Sequence, residues 1–209
     1  MSQPLDRRYQ MPELGAVDRD RGEFWVENPF DIASSGENLS AYEKNCVYLN
    51  MDGESFMDVS YASGVDLDSD SRSVVCADFN HDGATDILVA SVGGGPLRLF
   101  INEIPNRGNR VRLNLTAANG NRKAIGARVT LYCGERRVVR DNFPVNGFMG
   151  QGPVELIVGV GDAEVIDRID VRWPNGEIQQ VGSVPANNVV TIAEGEENPV
   201  VTPFAAPAS

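Results

Sequence analysis

The densest group of side chains able to do chemistry is the stretch Asp78-Phe79-Asn80-His81-Asp82-Gly83-Ala84-Thr85-Asp86. Asp78, Asn80 and Asp82 alternate, so their oxygens converge on one point if the backbone curls around it. Gly83 permits the sharp turn, the Ala84 carbonyl offers one further oxygen, and Asp86 closes the shell. An all-oxygen set suits Ca²⁺, a hard cation that takes about six to eight oxygens at roughly 2.3–2.6 Å. Three carboxylates so close together also repel one another strongly unless something neutralises them. His81 falls at a spacer position and is not counted as a ligand. An EF-hand would place a Glu at the end of the loop, where Val89 stands, and would flank it with helices. Here the flanks, Ser73-Val-Val-Cys76-Ala77 and Ile87-Leu-Val-Ala90, read as strands. The simpler alternative is an acidic β-turn that needs no metal. A second acidic run, Asp66-x-Asp68-x-Asp70-x-Arg72, alternates but lacks the glycine and the closing acid. It reads as a solvated loop, with a weak second ion site as the alternative.

Little else in the chain points to catalysis. There is no Gly-x-Ser-x-Gly elbow, no paired histidines for zinc, no P-loop and no Cys-x-x-Cys, and the lone histidine is His81. A carboxylate pair for glycoside hydrolysis is conceivable in a chain this acidic, although solvated surface acids are the plainer reading. Gly159-x-Gly161 lacks a third glycine and a helix, so it reads as a turn and not a dinucleotide site. Trp25, Tyr42 and Trp173 are the candidate aromatics for a sugar platform, and core packing is the expected role of each. The three cysteines, Cys46, Cys76 and Cys133, are widely spaced in apolar stretches and are expected to be buried thiols.

Strands must position the loop. Short runs rich in Val, Leu, Ile and Phe recur at Cys46–Asn50, Phe56–Ser60, Ser73–Asp78, Asp86–Val92 and Leu97–Asn102, separated by turn residues. A second set lies at Val111–Thr116, Arg128–Cys133, Arg136–Phe143, Val154–Val158, Ile166–Trp173, Ile178–Val181 and Val189–Ala193. Val111-Arg-Leu113-Asn-Leu115 and Ile169-Asp-Val171-Arg-Trp173 each send three apolar side chains to one face. Trp173-Pro174-Asn175-Gly176 reads as a tight reversal. No amphipathic helix of ten or more residues is visible, so the predicted fold is all-β.

Charge divides the chain. The net charge is −12; residues 1–105 hold 7 Lys/Arg against 19 Asp/Glu, and residues 106–209 hold 11 of each. The acidic half repels nucleic acid and anionic lipid and attracts cations or basic partners. No apolar run is long enough for a membrane-spanning helix. The opening residues have no apolar h-region, so no secretory signal is read there.

The stretch Ser73-Val-Val-Cys-Ala-Asp78-Phe-Asn-His-Asp-Gly-Ala-Thr-Asp86-Ile-Leu-Val-Ala90 resembles the FG-GAP/VCBS repeat. The region C-terminal to it resembles the ASPIC/UnbV domain of cartilage acidic protein-like chains. The matching pieces are Asn119-Gly-Asn-Arg-Lys-Ala-Ile-Gly-Ala-Arg128-Val, Phe148-Met-Gly-Gln151, Gly159-Val-Gly161, Val171-Arg-Trp-Pro-Asn-Gly176 and Ile192-Ala-Glu-Gly195. The resemblance implies partial propeller-like blades followed by a β-sandwich-like domain. It also implies calcium at Asp78, Asn80, Asp82, the Ala84 carbonyl and Asp86, and a non-catalytic interaction role at a cell surface or outside the cell. The expected layout is an N-terminal arm (1–38), a repeat region carrying the calcium loop (39–105), the ASPIC/UnbV domain (106–195) and a disordered tail (196–209). The partner is expected to be a protein or a glycan. Because a blade and a half cannot close a ring, its open edges need covering, and a homo-oligomer is one way to do so. A carbohydrate-binding β-sandwich is the rival reading, and a cryptic hydrolase a more distant one.

Overall fold

The computed structural model describes residues 44–51, 53–67, 71–91, 97–105, 108–146 and 150–204. The arm expected over residues 1–38, with Trp25, and also Tyr42 lie outside them, as do Asp68 and Asp70 of the second acidic run. The protein is all-β: 53% of the described residues are in strands, and no helix occurs among them.

The chain forms two compact units, residues 1–73 with 89–98 and residues 74–88 with 99–209. In the first, β1 (Tyr48–Met51) and β2 (Ser55–Asp58) pair antiparallel, with Tyr48 opposite Asp58. Every residue of these two strands is exposed. Asp66, from the second acidic run, sits 2.9 Å from Lys44 Nζ, so an ion pair accounts for it. Strands β3 (Ser71–Ala77), β4 (Asp86–Ser91) and β5 (Arg98–Phe100) form a three-stranded sheet in that order.

The second unit contains a two-layer sandwich. One sheet has the order β11-β6-β16-β17, where β6 is Asn109–Thr116, β11 Leu156–Gly161, β16 Asn188–Ala193 and β17 Val200–Pro203. The other has the order β14-β13-β7-β8, with β7 Arg128–Cys133, β8 Arg136–Asp141, β13 Arg168–Arg172 and β14 Ile178–Val181. Four two-residue strands (β9, Val145–Asn146; β10, Gly150–Gln151; β12, Val165–Ile166; β15, Val184–Pro185) form two small ribbons beside them. The period-two pattern decides which faces meet. Val111, Leu113 and Leu115 of β6, Val158 and Val160 of β11, and Val190 and Ile192 of β16 share one core with Val129, Leu131, Ile169 and Val171 of the opposite sheet. A fully buried Val, Leu or Ile contributes about 1.5–3 kcal/mol, so this core dominates the unit's stability. Strand β6 is central, paired antiparallel with β11 and parallel with β16.

Trp173 is 1% exposed and belongs to this core. Its indole Nε1 donates to Gln179 Oε1 at 3.0 Å, which satisfies the one polar atom the ring must bury. Trp173 therefore offers no platform for a sugar. The reversal after it is present: Gly176 N donates to the Trp173 carbonyl at 2.9 Å, and Gly176 takes φ +93°.

Three expectations change. The acidic, Pro-containing tail expected to lack order holds β17, because Val200–Pro203 pair antiparallel with Asn188–Thr191 of β16. Cys46 and Cys76 are exposed, and only Cys133 is buried; burial and the neighbouring Asp167 push the Cys133 thiol up. The acidic loop belongs to the same compact unit as the sandwich, whereas the sequence grouped it with the repeat before residue 105.

Candidate metal loop

Residues 78–85 connect β3 to β4, whose first residue is Asp86. The acidic side chains organise the turn by accepting hydrogen bonds from its own main chain. Asp78 Oδ1 accepts from Asp82 N at 3.1 Å, and Asp78 Oδ2 from Gly83 N at 2.8 Å. Asn80 Oδ1 accepts from Asp82 N at 3.1 Å, and Asp82 Oδ1 from Ala84 N at 2.8 Å. These are the Asx-type bonds that favour Asp and Asn in tight turns. Asp86, completely buried, accepts from Phe79 N at 2.9 Å and from Asn102 N at 2.8 Å. One carboxylate thus joins the start of the loop to the segment after β5. His81 is exposed and adopts φ +64°, in keeping with its place as a spacer.

The sequence did not reveal what lies against the loop. On β6 the apolar side chains face the sandwich core, so the alternate residues, Arg110 and Arg112, lie on the opposite face of the strand. Arg110 donates from Nε to the Gly83 carbonyl at 2.7 Å and from Nη2 to the Asp82 carbonyl. Arg112 donates from Nη2 to Asp78 Oδ2, forming an ion pair in which the Asp78 side chain is 0% exposed and Arg112 10%. The Phe204 ring, just beyond β17, lies within 5.5 Å of the Arg110 guanidinium carbon and 5.6 Å of that of Arg112, within cation–π range. An Arg-x-Arg pair on an otherwise alternating strand is the one signal that could have pointed here.

Gly83 is required on two counts. Its φ is +82°, and a Cβ there would sit 2.8 Å from Phe204 Cε2 and 2.9 Å from Arg110 Nε. Gly83→Ala is expected to destabilise the protein by at least about 1–3 kcal/mol, the usual cost of a left-handed non-glycine residue. Urea unfolding of the variant checks this, and a midpoint equal to wild type would show that the clasp yields freely.

Of the five predicted ligand residues, Asp78, Asn80, Asp82 and Ala84 lie in the β3–β4 loop and Asp86 opens β4. Their donor chemistry, three carboxylates with amide and carbonyl oxygens, fits a hard divalent ion. A carboxylate has about four acceptor sites, so an oxygen that takes a single N–H bond keeps capacity for a cation, whereas Asp78 Oδ2 takes two donors. Their arrangement is less open than their chemistry: among the described residues no three Asp, Glu, His or Cys side chains gather as a metal cluster. Asp78 and Asp86 turn towards N–H groups, and Arg112 supplies Asp78 with positive charge.

A separate shallow hollow of about 390 Å³ is lined by Asn114, Leu115, Thr116, Arg122, Lys123, Val154 and Glu155. Glu155 is its one acid, so the lining does not hold the two carboxylates that glycoside hydrolysis uses.

No helix among the described residues is long and apolar enough to cross a membrane. No curated protein sequence matches the chain. Residues 117–199, which include β7, β8, β11, β13, β14 and β16 of the sandwich, match the model of the ASPIC and UnbV family.

Proposed function

We propose that this protein is a non-catalytic, calcium-binding interaction module, with an FG-GAP/VCBS-like loop placed beside an ASPIC/UnbV domain. Asp78, Asn80, Asp82, the Ala84 carbonyl and Asp86 would hold the ion, which would neutralise the loop and stiffen it. The observation that supports this is the turn itself, in which acidic and amide side chains at alternate positions are curled by their own main-chain N–H groups. The likeness to cartilage acidic protein-like chains adds a role at a cell surface or outside the cell, with a protein as the binding partner. Burial of Trp173 leaves the sugar-binding alternative without one of its three candidate aromatics.

Chelation tests the reading. A ligand that binds only the folded state adds about 2.7 kcal/mol at one hundred times its dissociation constant. EDTA is therefore expected to lower the thermal midpoint and added calcium to restore it. Asp82→Ala should abolish the difference. Identical midpoints in EDTA and in millimolar calcium would refute the site.

A further inference from the structure

We propose that Arg112 is a built-in counter-ion for the acidic loop, and that calcium binds in competition with it for the carboxylate of Asp78. This rests on the calcium reading above and adds what controls the site.

Asp78 Oδ2 accepts both the Gly83 N–H and the Arg112 guanidinium, so its acceptor capacity is filled from within the chain. A divalent ion cannot take up that oxygen while a guanidinium holds it, and two cations in one buried place repel each other. Arg112 is not fully satisfied where it lies: its Nε is buried and has no hydrogen-bond partner among the described residues. The residue is thus held by one carboxylate and one aromatic ring, a hold that can be exchanged. Arg110 differs in that it also bonds main-chain carbonyls, those of Asp82 and Gly83.

The exchange acts in two places. At the loop, apparent calcium affinity is reduced by the fraction of molecules in which Arg112 has left Asp78, the cost of a binding-competent state that is only partly populated. It also reaches the last strand. Arg112 lies over Phe204, which directly follows β17, so withdrawal of the guanidinium removes one of the two cations packed on that ring.

Calcium titration by calorimetry of the whole chain, wild type against Arg112→Leu, tests the competition. Hydrogen exchange of the wild type with and without calcium tests the transmission. Arg112→Leu is expected to bind calcium at least tenfold more tightly. In the wild type, calcium should slow exchange at residues 79–84 and speed it at 200–203. If wild type binds calcium and Arg112→Leu binds it equally or more weakly, the competition is wrong and the calcium reading stands. Calcium binding that leaves exchange at 200–203 unchanged or slower overturns the displacement even if the variant fails to fold. If wild type and Arg112→Leu both fail to bind calcium, the calcium reading falls and takes this inference with it.

Discussion

Asp86→Ala is expected to lower the unfolding free energy by about 2–5 kcal/mol, with or without calcium. Asp86 is wholly buried, and its two oxygens receive the main-chain N–H groups of Phe79 and Asn102. Removing the carboxylate leaves two inward-facing donors unmatched, at about 1–3 kcal/mol each. Loss of a charged group from a buried place offsets part of this, which keeps the estimate below the sum of the worst cases. Asp86→Asn retains one acceptor oxygen and should cost less. Denaturant unfolding in EDTA is the deciding measurement. A loss seen only in calcium would mean that Asp86 serves the ion alone and that its two hydrogen bonds contribute nothing.

Arg112→Leu is expected to cost about 3–5 kcal/mol in metal-free buffer, the usual penalty for breaking a buried ion pair by removing one partner. The leucine keeps packing against Phe204 but leaves the Asp78 carboxylate buried without positive charge. Asp78→Asn in the same chain should recover much of the loss, since the amide oxygen can still accept one N–H and carries no charge. A double-mutant cycle measures this directly, and residues in direct contact couple by about 0.5–3 kcal/mol. Additive single effects would show that the guanidinium and the carboxylate do not sense each other.

Much of the architecture was legible because strand alternation reports burial directly. The bounds of β7 and β14 fall where the sequence places them, Arg128–Cys133 and Ile178–Val181. The three inward residues of β6, Val111, Leu113 and Leu115, were plain from their spacing. The same logic says nothing of what Arg110 and Arg112 meet. A charged residue opposite an apolar face is normally solvated, and only the third dimension shows that Asp78, Asp82 and Gly83 lie there instead. Strand β17 was hidden for a related reason. Val200 and Val201 sit between an acidic run and prolines, and their order comes from pairing with β16, a partner no local window contains. Cys46 and Cys76 show the limit of composition, since apolar neighbours along the chain do not guarantee a layer above them. The loop was recognisable from oxygen spacing alone, but the way its carboxylates are used depends on arginines far along the chain.

The parallel pairing of β6 with β16 has a consequence for how the molecule comes into being. Asn188–Ala193 must travel back across the intervening strands to lie beside Val111–Thr116. Contacts so distant in sequence are slow to form, because the chain loses much freedom before they reward it. As the chain leaves the ribosome, Asp78, Asp82 and Asp86 emerge first, Arg110 and Arg112 later, and Phe204 later still. The acids therefore spend the early life of the polypeptide without their arginine partners.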